Sequence, residues 1–104
     1  MSDLKRIWEE QTRALAKDHG VQPEIKDGAD GGVSFLLNGS EVCSITPRST
    51  YYYVSYLDED DGSFVIKSQT YHGASLEEAV KFNLPLVLGT ITSNIQKLKI
   101  LRVL

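Results

Sequence analysis

Cys43 is the only cysteine in the chain, so an intramolecular disulfide is excluded and the fold must rest on its core. A long apolar run is also missing. The longest uncharged stretch, residues 82–96, has 15 residues and is broken by Pro85, Gly89 and two asparagines. A membrane span needs about 20 mostly apolar residues, so no membrane partner is expected. The first residues, MSDLKRIWEEQ, mix charges and hold no apolar stretch of signal-peptide length, which predicts a cytoplasmic location. Basic excess is absent as well. The net charge is −3, and residues 20–74 carry eight acids against three bases. Nucleic-acid binding needs a basic stripe that displaces counterions from phosphate, so nucleic acid is not expected as a partner.

What remains is the composition of an ordinary globular chain. With 104 residues, 41% hydrophobic and 24% charged, residues 1–104 suit one domain with one core. There is no repeat, low-complexity tract or linker.

Ser2 to His19 reads as a helix. Ser2 or Asp3 can cap it, and Leu4, Ile7, Trp8, Gln11 and Leu15 recur at helical spacing until Gly20 stops it. Val21 to Lys26 contains Pro23, which cannot donate to a ladder and confines that stretch to a sheet edge. Residues 27–32 (DGADGG) form a turn or loop. Val33, Phe35 and Leu37 then alternate, Asn38-Gly39 turns the chain, and Cys43 and Ile45 resume the alternation. Two registers are open. A two-residue loop pairs Phe35 with Val42 and sends Cys43 and Ile45 to the other face. A bulge at Gly39 pairs Phe35 with Glu41 and Val33 with Cys43, which gathers Val33, Phe35, Cys43 and Ile45, and it is the expectation here.

Tyr51 to Leu57 and Ser63 to Tyr71 read as further strands around the acidic turn Asp58–Gly62. Ser75 and Glu78 fit a capping box that opens a final helix carrying Leu84, Val87, Leu88, Ile91, Ile95 and Leu98 on one face. Pro85 predicts a kink near Lys81 to Leu84, or a second helix starting at the proline. The expected fold is an α+β two-layer sandwich. Its antiparallel sheet has four to five strands, with the N-terminal helix and a long kinked or broken C-terminal helix on one face.

No catalytic constellation emerges. Aligned on Gly62, an EF-hand loop would put Leu57 at its first ligand position and Ser68 at its last, so the acidic turn does not fit calcium. Gly28, Gly31 and Gly32 precede a strand and not a helix, which excludes a phosphate-cradling loop. Cys43, His19 and His72 are the only residues for nucleophilic or soft-metal chemistry, and their spacing assembles neither. No metal, cofactor or catalytic residue is assigned.

Two features point to contacts with protein. Tyr51, Tyr53 and Tyr71 are expected on the open face of the sheet, with Tyr52 and Tyr56 facing the helices. The C-terminal segment is apolar on more sides than one sheet can cover. Either the first helix packs over it, or Leu84, Val87, Leu88, Ile91, Ile95 and Leu98 form a homodimer interface. The sequence thus predicts a non-catalytic protein-interaction module. The alternative is a small-ligand binder or enzyme with a pocket of several hundred Å³ at Tyr52, Tyr56, Cys43 or His72.

Overall fold

The structure, a computed structural model, describes residues 2–104. It begins with α1 (Ser2–Gln11) and α2 (Arg13–His19). Five strands follow: β1 (Pro23–Asp27), β2 (Val33–Leu37), β3 (Ser40–Pro47), β4 (Tyr52–Asp60) and β5 (Ser63–Tyr71). The chain closes with α3 (Leu76–Ser93) and α4 (Ile95–Ile100). The strands form one antiparallel meander in the order β1-β2-β3-β4-β5, and the terminal helices pack on one face. This is the α+β sandwich that the periodicity predicts.

The expected first helix is present but broken at Thr12. The Thr12 hydroxyl donates to the Trp8 carbonyl at 2.7 Å, a local bond that competes with regular helix geometry. Gly20 ends α2 with φ 66°, the left-handed conformation that glycine adopts without cost. The cap expected from Ser2 falls on a side chain outside the described residues.

The β2–β3 hairpin corrects the expected register. Leu37 pairs with Ser40, so the loop is Asn38-Gly39 alone, both at positive φ, as a two-residue type I′ turn requires. The bulge lies further along. Phe35 pairs with Cys43 while Leu36 pairs with Glu41, which leaves Val42 as the extra residue. A bulge shifts the alternation by one, so Val33, Phe35, Cys43 and Ile45 share the core face despite the short turn. Val42 and Cys43 are both buried.

The last helix also breaks elsewhere than expected. α3 runs through Pro85, and the interruption comes at Asn94, whose side chain donates to the Thr90 carbonyl at 2.8 Å. At the helix start, the Ser75 hydroxyl accepts from the Glu78 amide at 3.1 Å. The Glu78 carboxylate reaches past Ser75 to the Ala74 amide, 2.8 Å away, one residue earlier than a capping box places it.

Trp8, Phe35, Ile45, Val54, Leu84, Ile91 and Leu98 fill the core, each at most 0% exposed. Burying an aliphatic or aromatic side chain of this size stabilises by roughly 1.5–3 kcal/mol. The helical layer is placed asymmetrically. α1 packs on β1 and on α3, and α3 packs on β3 and β4, which leaves β5 largely uncovered at the far edge of the sheet.

Candidate functional site

The apolar face of the C-terminal segment is covered from within the chain. Leu84, Val87, Leu88, Ile91, Ile95 and Leu98 are all buried in the core, where α1 packs against α3. These six side chains present no surface to a second subunit. The exposed apolar residues of this segment are others: Phe82, Leu86, Ile100 and Leu101, between 54% and 78% exposed.

Within β4 the tyrosines take alternate faces, and Tyr71 on β5 requires a correction. Tyr52 and Tyr56 are half-buried against the core, and Tyr53 is on the open face at 36% exposure, beneath the Arg48 guanidinium at 6.0 Å. Tyr51 precedes β4 and stands beside His72, ring centres 6.2 Å apart. Tyr71 is not on the open face. It pairs with Tyr52 and so points to the helix side, where its ring lies 5.0 Å from Phe82 and its hydroxyl donates to Glu78 at 3.1 Å. The open face carries a polar row flanked by apolar side chains, Leu57 and Ile66 among them. Ser34, Ser44, Ser55 and Ser68 stand in one row across four strands, a polar surface that water satisfies unaided.

The nucleophile candidates stay apart in environment. Cys43 is buried, and burial pushes its thiol up to about 12, so no thiolate forms near neutral pH. His72 is exposed beyond the end of β5. Among the described residues, no group of three or more His, Cys, Asp or Glu side chains is placed to hold a metal ion.

The cavity lies on the β5 side instead. It is about 180 Å³ and is lined by Tyr56, Asp58, Gln69, Asn83, Leu86, Val87 and Thr90. Of the four residues expected to line a ligand pocket, only Tyr56 contributes, and the volume suits one side chain better than a drug-sized ligand. Its origin is the offset of α3 over β3 and β4. β5 directs Val65, Lys67, Gln69 and Tyr71 toward the helix layer, as their pairing with Asp58, Tyr56, Val54 and Tyr52 fixes. None of the four is fully covered.

Polar bonds hold the walls. Asn83, 1% exposed, donates to the Ala79 carbonyl at 2.7 Å and accepts from the Gln69 side chain at 2.9 Å. Asp58 accepts from the Glu59 amide at 2.8 Å and pairs with Lys67 at 3.1 Å. The Lys67 hydrogen bond, with the Glu59 amide, holds the Asp58 carboxyl below its ordinary range. The same partner raises Lys67. Both groups are therefore charged across the neutral range.

Sequence reasoning passed over this groove because it depends on lateral placement. Periodicity says that α3 is buried on one face, and cannot say which strands lie under it. The one readable signal is Asn83, a buried amide among the apolar positions of α3. No family model, curated protein or solved structure matches the chain, and no helix is long and apolar enough to cross a membrane among the described residues.

Proposed function

We propose that the chain is a small non-catalytic protein-interaction module that receives an extended segment of a partner protein along the free edge of β5. The observation that carries this reading is the nine-residue outer strand, Ser63–Tyr71, left largely uncovered by α3. A strand edge of this length offers a row of unpaired amides and carbonyls, and strand addition is how such edges recognise peptides. A sixth strand would run beside Val65 and Ile66 and beneath Phe82 and Leu86, all of them exposed. Main-chain bonds would then give affinity and the overhanging side chains an apolar flank.

A second copy of β5 is the weaker occupant. Lys67 is the central residue of the strand, so a fully overlapped antiparallel pair sets two ammonium groups face to face, which destabilises the pairing. Self-association through the C-terminal segment is a second reading, supported by Ile100 and Leu101 at 78% and 54% exposed.

Capture from the native source tests the proposal when wild type is compared with a Phe82→Glu, Leu86→Glu double variant of unchanged circular dichroism. The expected result is a partner that wild type retains, that the double variant loses, and that slows hydrogen exchange along residues 63–71. Protection elsewhere, with β5 unchanged, overturns it. Light scattering at micromolar concentration decides the second reading: a dimer that Ile100→Glu, Leu101→Glu dissociates supports self-association, and a strict monomer excludes it.

A further inference from the structure

The cavity beneath α3 opens toward the free strand. Its covered lining residues are Asn83 and Val87 on α3, whereas Gln69 on β5 and Leu86 on α3 are exposed at its mouth. Anything laid along the outer edge of β5 therefore passes the opening.

The chemistry of the lining is unbalanced. Asp58 accepts only, and Gln69 keeps its carbonyl oxygen free because its amide is the group given to Asn83. The Tyr56 and Thr90 hydroxyls accept or donate. Leu86 and Val87 supply an apolar wall along which an aliphatic stem can lie. Charge points the same way. The β4–β5 hairpin carries Asp58, Glu59, Asp60 and Asp61, and the bases facing them are Lys67, paired with Asp58, and Lys97, paired with Glu59 at 3.6 Å. Two acids are left in excess.

Reach narrows the choice. A sixth strand would lie two strand spacings from β4, roughly 10 Å, and Asp58 belongs to β4. A short side chain does not cross β5 to that carboxylate, whereas a long basic one does. A guanidinium also presents several donors in one plane, suited to a carboxylate and an amide oxygen together. Lys67 already seats a cation at Asp58 from β5 itself, and on yielding this place it stays within the field of Asp60.

We propose that this cavity is a specificity pocket for one arginine side chain of the segment added to β5. The inference rests on the strand-addition reading, and two probes separate them. N-ethylguanidinium, which carries no backbone, tests the pocket alone. It is expected to shift the side-chain amide resonances of Asn83 and Gln69 in wild type and to leave them unmoved in Asp58→Asn. The capped heptapeptides Ser-Val-Thr-X-Thr-Val-Ser, with X as Arg, Leu or Glu, test strand and pocket together.

The expected result is that the Arg peptide shifts the amides of residues 63–71 and binds about tenfold tighter than the Leu peptide, the scale of one charge-assisted hydrogen bond. Asp58→Asn should reduce that ratio below about twofold while Leu-peptide binding holds. Gln69→Leu, at an exposed position, should lower the ratio in the same direction. Equal binding of all three peptides along β5 leaves strand addition standing and overturns the pocket. Guanidinium shifts without any peptide binding overturn strand addition, and with it the peptide arginine as occupant. Silence from both probes overturns both.

Discussion

Gln69 and Asn83 join the outermost strand to the C-terminal helix through a single 2.9 Å side-chain hydrogen bond. The two ends of that bond are unequal. Asn83 is 1% exposed, while Gln69 stands at the surface. An amide buried without its partner loses its hydration and gains nothing in return. This asymmetry sets the cost of changing either residue.

Asn83→Ala should therefore destabilise the protein by about 1–3 kcal/mol, since it removes both side-chain bonds and leaves a small void under α3. Gln69→Ala strands the buried Asn83 oxygen only where water does not replace it, and the mouth of the cavity admits water. Its cost should stay below about 1 kcal/mol. Urea denaturation of both variants checks the order, and equal losses would show that the Gln69 end is as dry as the Asn83 end.

The Cys43 thiol makes stability fall at high pH. Burial is the larger cause that raises it from the ordinary 9.0 to about 12, and the Glu41 charge adds to it. The folded state thus holds the proton more tightly than the unfolded state. The contribution is intact below pH 9 and declines between pH 9 and 12, by about 1.4 kcal/mol per pH unit. Cys43→Ala lacks this term, so its stability should fall less steeply across that window. At pH 8 an aromatic disulfide reagent should label the wild-type thiol only at the rate of unfolding. Fast labelling without unfolding would show that the thiol is accessible in the fold.

The fold was legible wherever a local pattern decides it. Alternation at Val33, Phe35, Cys43 and Ile45 identifies the core face, Pro23 marks the edge strand, and Gly20 ends α2 with the expected positive φ. The misreadings come from choices that the pattern leaves degenerate. A bulge at Gly39 and a bulge at Val42 gather the same four residues on one face, so periodicity alone does not separate them. Proline advertises a helix break, whereas Asn94 and Thr12 interrupt helices through side-chain bonds to the preceding turn that no spacing rule announces. Grouping Tyr71 with Tyr51 and Tyr53 places it on the open face, whereas its register with Tyr52 turns it toward Phe82. The groove was the least legible feature, because it follows from where α3 sits across the sheet.

Pro85 occupies an exposed position inside α3, where it denies the Lys81 carbonyl its usual amide donor. The cost of proline in a helix interior is about 3 kcal/mol relative to alanine. Pro85→Ala should recover part of it, about 1–2 kcal/mol, read as a higher denaturation midpoint at unchanged slope. A loss of stability would mean that the backbone geometry fixed by Pro85 is needed to hold Leu84 and Val87 on the sheet.

Two glycines should respond to alanine with opposite sign. Gly32 has extended backbone that any residue adopts, yet a Cβ there would stand 2.5 Å from the Ile45 carbonyl oxygen and 3.0 Å from the Thr46 Cα. Both are main-chain atoms of a central strand, so the clash is relieved only by moving β3. Gly32→Ala should cost about 1–3 kcal/mol, the usual price of forcing extra volume into packed structure. Gly89 lies in α3 with nothing within 4 Å of its added Cβ, and alanine there removes freedom from the unfolded chain without strain. Gly89→Ala should therefore stabilise by about 0.5–1 kcal/mol. Thermal melts of the two variants beside wild type give both signs at once, and a neutral Gly32→Ala would place the β2 entrance further from β3 than this packing has it.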